Sequence, residues 1–247
     1  MTNKVKRRFT SEQIEKLNLK FQDATAQEIL EWATYLHPRI ALATSFQAQG
    51  VVLIDMIMKI NKKARIFTLD TGRLNEETYE VMDAIKSKYS ANIEIIFPNK
   101  KEVEEMVHTH GPNLFYKGKD NRFLCCDIRK VRPLREYLPN LDGWITSIRK
   151  DQTENRAEAG KFELDELHGG IIKINPLVDW SSKEVWEYIK EHKVPYNKLH
   201  DLGYPSIGCA PCTRAVKDGE DPRAGRWWWE NDSDKECGLH INHTVNS

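Results

Sequence analysis

The sequence has no net charge and no long apolar run. Its 247 residues include 37 Lys and Arg against 37 Asp and Glu, so no global field attracts nucleic acid or an anionic membrane. No apolar stretch approaches the length of a membrane span, and the basic start, residues 1–10, lacks the apolar core of a signal peptide. We therefore expect a cytoplasmic protein that binds anionic ligands through local groups.

Cysteine is scarce, and four of the five cysteines form two tight pairs. Cys125 and Cys126 are adjacent, while Cys209 and Cys212 enclose Ala-Pro. In a reducing cytoplasm such pairs favour metal or redox chemistry over disulfides. Adjacent Cα atoms lie about 3.8 Å apart, so binding of one zinc ion by both Cys125 and Cys126 would form a small, strained chelate ring. In an iron–sulfur cluster the two thiolates can bind different iron atoms. The spacing favours a [4Fe–4S] cluster over zinc, and packing cysteines without metal are the less favoured alternative.

The fifth cysteine stands apart, in a polar segment near the C-terminus. Lys235 and His240 would favour the thiolate of Cys237, while Glu236 would oppose it. From this chemistry alone, a reactive nucleophile and an inert exposed thiol are equally supported.

Alternating apolar and polar segments predict an α/β fold. Strand, loop and helix recur at a spacing typical of a mostly parallel sheet with helices on both faces, which places ligand loops at the carboxyl ends of the strands. We expect one α/β domain over 1–212 and a mobile C-terminal tail over 213–247. The predicted strands are 40–43, 65–69, 93–97, 144–148 and 171–177, and the candidate ligand loops are 44–50, 70–72 and 149–152.

Three basic side chains are candidate anion ligands. Lys130 lies four residues after Cys126, on the same face if the segment is helical, although a solvated lysine would have the same spacing. Arg223 and Arg226 lie three apart and can converge on one oxyanion through paired hydrogen bonds; surface ion pairing is the alternative.

The tryptophans at 227–229 indicate a packed anchor for the tail rather than a base-stacking surface, because no basic stripe accompanies them.

Four motifs, in this order, resemble the assimilatory adenylylsulfate (APS) and phosphoadenylylsulfate (PAPS) reductases of the iron–sulfur-bearing branch. The resemblance runs from about Ile40 to His240, and the combination is much more specific than any single motif. It implies an adenine-nucleotide α-hydrolase-like fold and reduction of activated sulfate to sulfite, with thioredoxin as electron donor. The motifs are Cys125-Cys126 with Arg129-Lys130, Cys209-Ala-Pro-Cys212, Arg223-Ala-Gly-Arg226-Trp and Glu236-Cys237-Gly-Leu-His240.

The resemblance also implies a role for each candidate residue. The four paired cysteines would bind a [4Fe–4S] cluster, and Cys237 would attack the substrate sulfur, expel AMP and form an S-sulfocysteine that thioredoxin resolves. The phosphosulfate would be contacted by Lys130, Arg223, Arg226 and His240. A phosphate-binding loop would include Ser45 and Phe46, and the nucleotide pocket would be lined by Leu69, Asp70, Thr71, Gly72 and Arg149.

One departure bears on the substrate. Members of this family commonly carry an acidic pair after the Ser-Phe of the phosphate loop, where this chain has Ala48-Gln49-Gly50. Less negative charge there leaves room for a 3′-phosphate, so preference for APS or PAPS stays open; the cluster motif favours APS.

Two alternatives come from other functional classes, and homo-oligomerisation is left open. An ATP-pyrophosphatase-type enzyme for RNA thiolation would need a Ser-Gly-Gly-x-Asp-Ser loop, and the segment from Ser45 to Gly50 lacks those glycines and the aspartate. A non-catalytic nucleotide-sensing module would leave Cys237 without a role.

Overall fold

The computed structural model describes residues 9–37 and 39–230. The chain forms two compact units. The first contains residues up to Thr68 together with Val81–Glu94 and Tyr137–Tyr196, and the second contains Leu69–Glu80, Ile95–Glu136 and the chain from Asn197 onwards. The predicted boundary between 1–212 and 213–247 stays a prediction, and the expected mobility of the tail beyond residue 230 falls outside the described residues.

A six-stranded sheet organises the fold. Its strands are β1 (Ile40–Ala43), β2 (Arg65–Leu69), β3 (Ile93–Ile96), β4 (Gly143–Ile145), β5 (Phe162–Asp165) and β6 (Ile171–Ile174). They are ordered β3-β2-β1-β4-β6-β5. β1 pairs in parallel with β2 and β4, β4 pairs in parallel with β6, and β5 is an antiparallel edge strand. The prediction of a mostly parallel sheet is confirmed.

Eight α-helices lie in the described part of the chain. Capping boxes begin three of them: Thr10 with Gln13, Thr25 with Glu28, and Ser181 with Glu184, each side chain accepting from the backbone N–H of the other residue. The helices are α1 (Ser11–Lys20), α2 (Ala26–Leu36), α3 (Ala48–Ile60), α4 (Glu76–Tyr89), α5 (Lys100–His110), α6 (Lys119–Cys126), α7 (Arg132–Tyr137) and α8 (Ser182–Glu191). None of the helices in the described ranges is long and apolar enough to cross a membrane.

The structure corrects several predicted bounds. The loop predicted over 44–50 is shorter, because α3 begins at Ala48. The strand predicted over 144–148 is β4, which ends at Ile145, so three residues of loop precede Arg149. The strand predicted over 171–177 ends at Ile174, and α6 and β5 were not predicted.

The chain after the first cysteine pair is not one regular α-helix. Residues Asp127–Val131 form a π-helical turn, and the Arg132 N–H donates to the Asp127 carbonyl, five residues back. Pro133 has no N–H to continue the ordinary ladder, so the wider turn precedes it. The turn directly follows Cys125 and Cys126, and it sets the direction of the next side chains.

The second unit has its own apolar cluster, which includes Met106, Leu114, Phe115, Ile128 and Trp227. Part of the predicted tail belongs to it. Arg214 N–H donates to the Gly225 carbonyl (2.9 Å), and Trp227 is only 1% exposed. The prediction that the tryptophans anchor the tail is therefore confirmed for Trp227, and the chain is folded through Glu230.

Candidate functional site

The second unit contains all four paired cysteines, and three of them, Cys125, Cys209 and Cys212, lie at one apolar cluster. Cys125 and Cys126 end α6, and Cys209 and Cys212 flank a short 3₁₀ turn. All four are free thiols. Cys212 belongs to the apolar cluster around Trp227, and Cys125 and Cys209 pack against it. Residues more than 80 positions apart in the sequence therefore meet at one site.

Hydrogen bonds fix the loop that carries the second cysteine pair. The Ala210 N–H donates to the Arg73 carbonyl (2.8 Å), and the Trp227 N–H donates to the Cys212 carbonyl (3.1 Å). The Thr71 hydroxyl and the Cys209 thiol are hydrogen-bonded, with 3.3 Å between Oγ1 and Sγ. The loop is thus tied to both the segment after β2 and the folded part of the tail.

The environment of the thiols is apolar but rimmed by cations. Burial raises the pKa of Cys125, although Arg129 and Lys130 oppose the shift. Burial raises the pKa of Cys212 to about 12, against the opposing charges of Lys130 and Arg226. Thiols in such a setting stay protonated at neutral pH unless further positive charge compensates their thiolates, as a bound metal centre does.

The donors at this site are four cysteine thiols. Among residues 9–37 and 39–230, no three His, Cys, Asp or Glu side chains are grouped to share one metal ion. A polynuclear cluster binds each thiolate through a different iron, so its ligands need not converge on one point. Four thiols are chemically suited to a cluster and to mononuclear zinc, and the cluster stays a prediction.

Lys130 and Arg129 lie on the π-helical turn beside the cysteines. The charge of Lys130 acts on both Cys125 and Cys212, and its predicted contact with the substrate stays a prediction. Arg129 is buried, and its Nη1 donates to the Thr71 carbonyl (2.6 Å). Arg129 therefore ties the loop after β2 to the cysteine site.

The predicted nucleotide loop, Leu69–Gly72, lies in the second unit and contacts the cysteine site through Thr71. Leu69 ends β2. Asp70 is buried, and its carboxylate accepts from the Gly72 N–H (2.8 Å) and the Tyr79 hydroxyl (3.0 Å). Gly72 has a φ of +69°, which favours glycine there. Asp70 shapes the loop, and Thr71 faces Cys209; sequence reasoning missed that contact.

Arg226 is buried beside Trp227, with its guanidinium 4.6 Å from the centre of the indole ring. Its Nη1 donates to the Ser206 hydroxyl at 3.3 Å, and within the described residues its Nε has no partner. Arg223 is half-buried, and its carbonyl accepts from the Arg226 N–H (2.9 Å). Arg226 retains donors for an anion; convergence of Arg223 on the same anion stays a prediction.

In the first unit, Ser45 and Arg149 follow adjacent parallel strands, β1 and β4, at the same edge of the sheet. Ser45 is exposed, whereas Phe46 is fully buried with a φ of +55° and shapes the backbone of the loop. Arg149 is 4% exposed and pairs with Asp151 (3.1 Å). Its Nε and Nη1 have no partner in the described ranges, and burial lowers its pKa. This edge is suited to a phosphate.

Two predicted residues, Cys237 and His240, lie outside the described residues. One buried side chain, Arg122, was missed from the sequence, and the contact of Arg129 with Thr71 was not predicted although Arg129 belongs to the first motif. Arg122 and Arg129 are spaced as ordinary helical arginines, and only their distant partners, Glu230 and Thr71, reveal their placement. No sequence signal marks those pairs.

Comparison with known proteins extends this picture. Residues 39–215 match the phosphoadenosine phosphosulfate reductase domain family. The chain is 46% identical to adenosine 5′-phosphosulfate reductase of Allochromatium vinosum over 90% of this chain and 86% of that protein. It is also 46% identical to the Burkholderia cepacia protein of the same name, over 83% of this chain and 82% of that protein.

A solved structure supports the fold. The crystal structure of phosphoadenylyl-sulfate reductase from Candida auris, in complex with phosphate, superposes with a TM-score of 0.73 at 32% identity, covering 84% of this chain and 98% of that one. The predicted adenine-nucleotide α-hydrolase-like fold is confirmed. The family match spans both the sheet and the four cysteines, so the chain belongs to the phosphoadenosine phosphosulfate reductase family.

Proposed function

We propose that this protein reduces adenylylsulfate to sulfite and AMP during sulfate assimilation. The observation that carries the proposal is that the second unit holds four free cysteines, with the charges of Lys130 and Arg226 acting on Cys212, in a chain that is 46% identical to two proteins named adenosine 5′-phosphosulfate reductase. The unpaired thiols suit a reducing cytoplasm.

A [4Fe–4S] cluster would be held by the four paired cysteines. Their apolar surroundings exclude water, and Lys130 and Arg226 offset negative charge there. When bound, such a cluster supplies a fixed group of thiolates and sulfides that attracts cationic side chains. Lys130 is then held between the cluster and the anionic substrate, and the protein residues perform the chemistry.

The reaction begins at Cys237. Its thiolate attacks the substrate sulfur; an S–S bond forms, the S–O bond breaks, and AMP leaves with the electron pair. One thioredoxin thiolate then attacks Cys237 Sγ and releases sulfite, leaving a mixed disulfide. The second thioredoxin thiol resolves that disulfide, so thioredoxin supplies two electrons and is oxidised to its disulfide.

The cations stabilise negative charge during transfer. Arg226, with an unpartnered Nε within the described residues, binds sulfonate oxygens. Lys130 neutralises charge beside the cysteines. In the first unit, Arg149 and Ser45 bind the nucleotide phosphate at the edge formed by β1 and β4. As in phosphoryl transfer, prearranged charge lowers the barrier without bonding to the reacting atoms.

The nucleophile is tested by intact-protein mass spectrometry after mixing with APS in the absence of thioredoxin. We expect a sulfonate adduct on the native protein and none on Cys237→Ser. Cys212→Ser is unsuitable as a control because it alters the site, so Ser233→Ala, four residues from Cys237 in the same polar segment, serves instead. An adduct that persists in Cys237→Ser contradicts the assignment.

The cofactor is tested by analysis of protein purified without oxygen. We expect a brown protein with iron and acid-labile sulfide in equal amounts, and loss of both in Cys209→Ser, because each thiolate binds its own iron. A colourless protein containing zinc would refute the cluster.

The same adduct experiment separates APS from PAPS. The segment Ala48-Gln49-Gly50 carries no acidic side chain, so no like charge opposes a 3′-phosphate at the start of α3, and a PAPS-preferring or dual-specificity reductase is the alternative. Faster adduct formation with APS supports the proposal, while faster formation with PAPS assigns the alternative.

A further inference from the structure

The Trp227 indole in the second unit is stacked against two arginines. The guanidinium carbon of Arg122 lies 4.4 Å from the ring centre, and that of Arg226 lies 4.6 Å from it. Trp227 and Arg122 are each 1% exposed. Such cation–π contacts are stronger when water is excluded. The position of Trp227 therefore depends on Arg122, and that of Arg226 depends on Trp227.

A buried ion pair fixes the other side of this stack. Arg122 Nε donates to Glu230 Oε1 at 2.6 Å, and the two side chains are 1% and 8% exposed. The Glu230 N–H donates to the Trp227 carbonyl (2.9 Å), so the pair closes a turn over residues 227–230. Arg122 Nη1 has no partner among the described residues. Loss of Glu230 would leave a buried charge uncompensated, which is strongly unfavourable.

Arg226 occupies a narrow slot beside Trp227. A Cβ atom at Gly208 would lie 2.3 Å from Arg226 Nη2, so the backbone of Gly208 closely approaches the guanidinium group. The Ser206 contact is a long hydrogen bond, at 3.3 Å. Indole and glycine therefore hold the Arg226 guanidinium by shape, and most of its hydrogen-bonding capacity is left for another group.

We propose that Arg122 is a positioning residue for substrate binding: through Trp227 and Glu230 it orients the Arg226 guanidinium toward the sulfonate of the substrate. The inference rests on the proposed function, in which Arg226 binds that sulfonate. Arg122 does not touch the substrate in this scheme. It acts through its ion pair with Glu230, a residue more than 100 positions away in the sequence. Trp227 and Glu230 then keep the Arg226 guanidinium in place without a carboxylate from the described residues paired directly with it.

The test compares APS and AMP binding to holoprotein carrying Cys237→Ser, in which no adduct forms. In this background Glu230→Gln should raise the Kd for APS about tenfold, the loss expected when one charge-assisted contact is misplaced. The Kd for AMP should change less than twofold, because AMP has no sulfonate. Arg122→Lys keeps the charge but loses the planar stack, so it should shift APS binding in the same direction by less.

The matched control is Glu80→Gln. It removes the Lys198–Glu80 ion pair (2.8 Å), which lies in the same unit and is largely exposed, and it should leave both Kd values unchanged. The proposal would be overturned if Glu230→Gln raised the Kd values for APS and AMP equally. It would also be overturned if the Glu230→Gln variant bound APS with the same Kd as the Glu80→Gln variant. Iron content is measured on every variant; if Glu230→Gln loses iron, Arg122→Lys decides by the same two Kd values.

Failure of the proposed function gives a different result. If the Cys237→Ser protein without further changes binds APS no more tightly than AMP, the sulfonate has no site and the proposed function fails. If it binds APS more tightly and Arg122→Lys and Glu230→Gln leave that preference intact, only the role of Arg122 fails.

Discussion

At the scale of single residues, Asp55 shows how the first unit accommodates a buried carboxylate. It lies on α3, is 1% exposed and accepts hydrogen bonds from the Tyr89 and Tyr188 hydroxyls, both at 2.7 Å. Lys59, one turn along the helix, pairs with it at 2.7 Å. Every neighbour favours the ionised form, and together they link α3 to α4 and α8.

This network predicts a pH dependence of stability. Burial raises the pKa of Asp55, but the hydrogen bonds from Lys59, Tyr188 and Tyr89 outweigh burial and leave it lowered. A carboxylate whose pKa is lowered in the folded state stabilises the protein at pH values above its unfolded-state pKa of about 3.9. That contribution disappears as the pH falls through the folded-state pKa.

Asp55→Asn should therefore lower the free energy of unfolding at pH 7 by about 1–3 kcal/mol, the cost of a lost charged hydrogen-bond network. The difference from the native protein should shrink as the pH falls below 4. Denaturant unfolding at several pH values measures it, with the exposed Asp23→Asn as control. A difference independent of pH would contradict the lowered pKa.

Residues with a chemical signature could be predicted from the sequence; residues defined by contact could not. The four paired cysteines and Lys130 were recognisable by type and spacing, and in the structure Cys125, Cys209 and Cys212 lie at one apolar cluster, where the charge of Lys130 acts on Cys125 and Cys212. Arg122 carries no such signature, and Thr71 was predicted as a residue of the nucleotide pocket but not as a partner of Cys209. Arg122 meets Glu230 across 108 positions, and a contact that distant leaves no local pattern in the chain.

At the scale of elements, local patterns predicted the first two strands of the sheet correctly. β1 and β2 have the predicted bounds, because apolar runs and polar breaks mark them clearly. β5 was missed since its sequence, Phe-Glu-Leu-Asp, is half charged and its pairing with β6 is decided by tertiary contacts.

The segment around the first cysteine pair was the hardest element to predict. α6 has the sequence KDNRFLCC, mainly polar at its start and without a side-chain cap. The π-helical turn that follows depends on Pro133. In an ordinary α-helix the N–H of residue 133 would donate to the Arg129 carbonyl, and proline has no N–H. Periodicity predicts a helix there but not its wider turn, so the direction of Lys130 was fixed only by the structure.

At the scale of the whole molecule, the two units differ in what holds them together. The first has the paired strands β1, β4 and β6 and the buried helix α3. The second has an apolar cluster to which Cys212 belongs and against which Cys125 and Cys209 pack. A cluster bound there would complete that core, and metal binding of this kind contributes directly to folding.

Iron removal should therefore loosen the second unit and spare the first. Hydrogen exchange measured by mass spectrometry on chelated protein should show lost protection in peptides from 114–131 and 209–227, while peptides from α3 and β4 keep theirs, since local opening follows local stability. Reconstitution with iron and sulfide should restore protection, which separates cluster loss from irreversible damage. Equal loss of protection in α3 would mean that the four cysteines do not form a local stabilising centre, and that the cluster, if bound, supports the fold in another way.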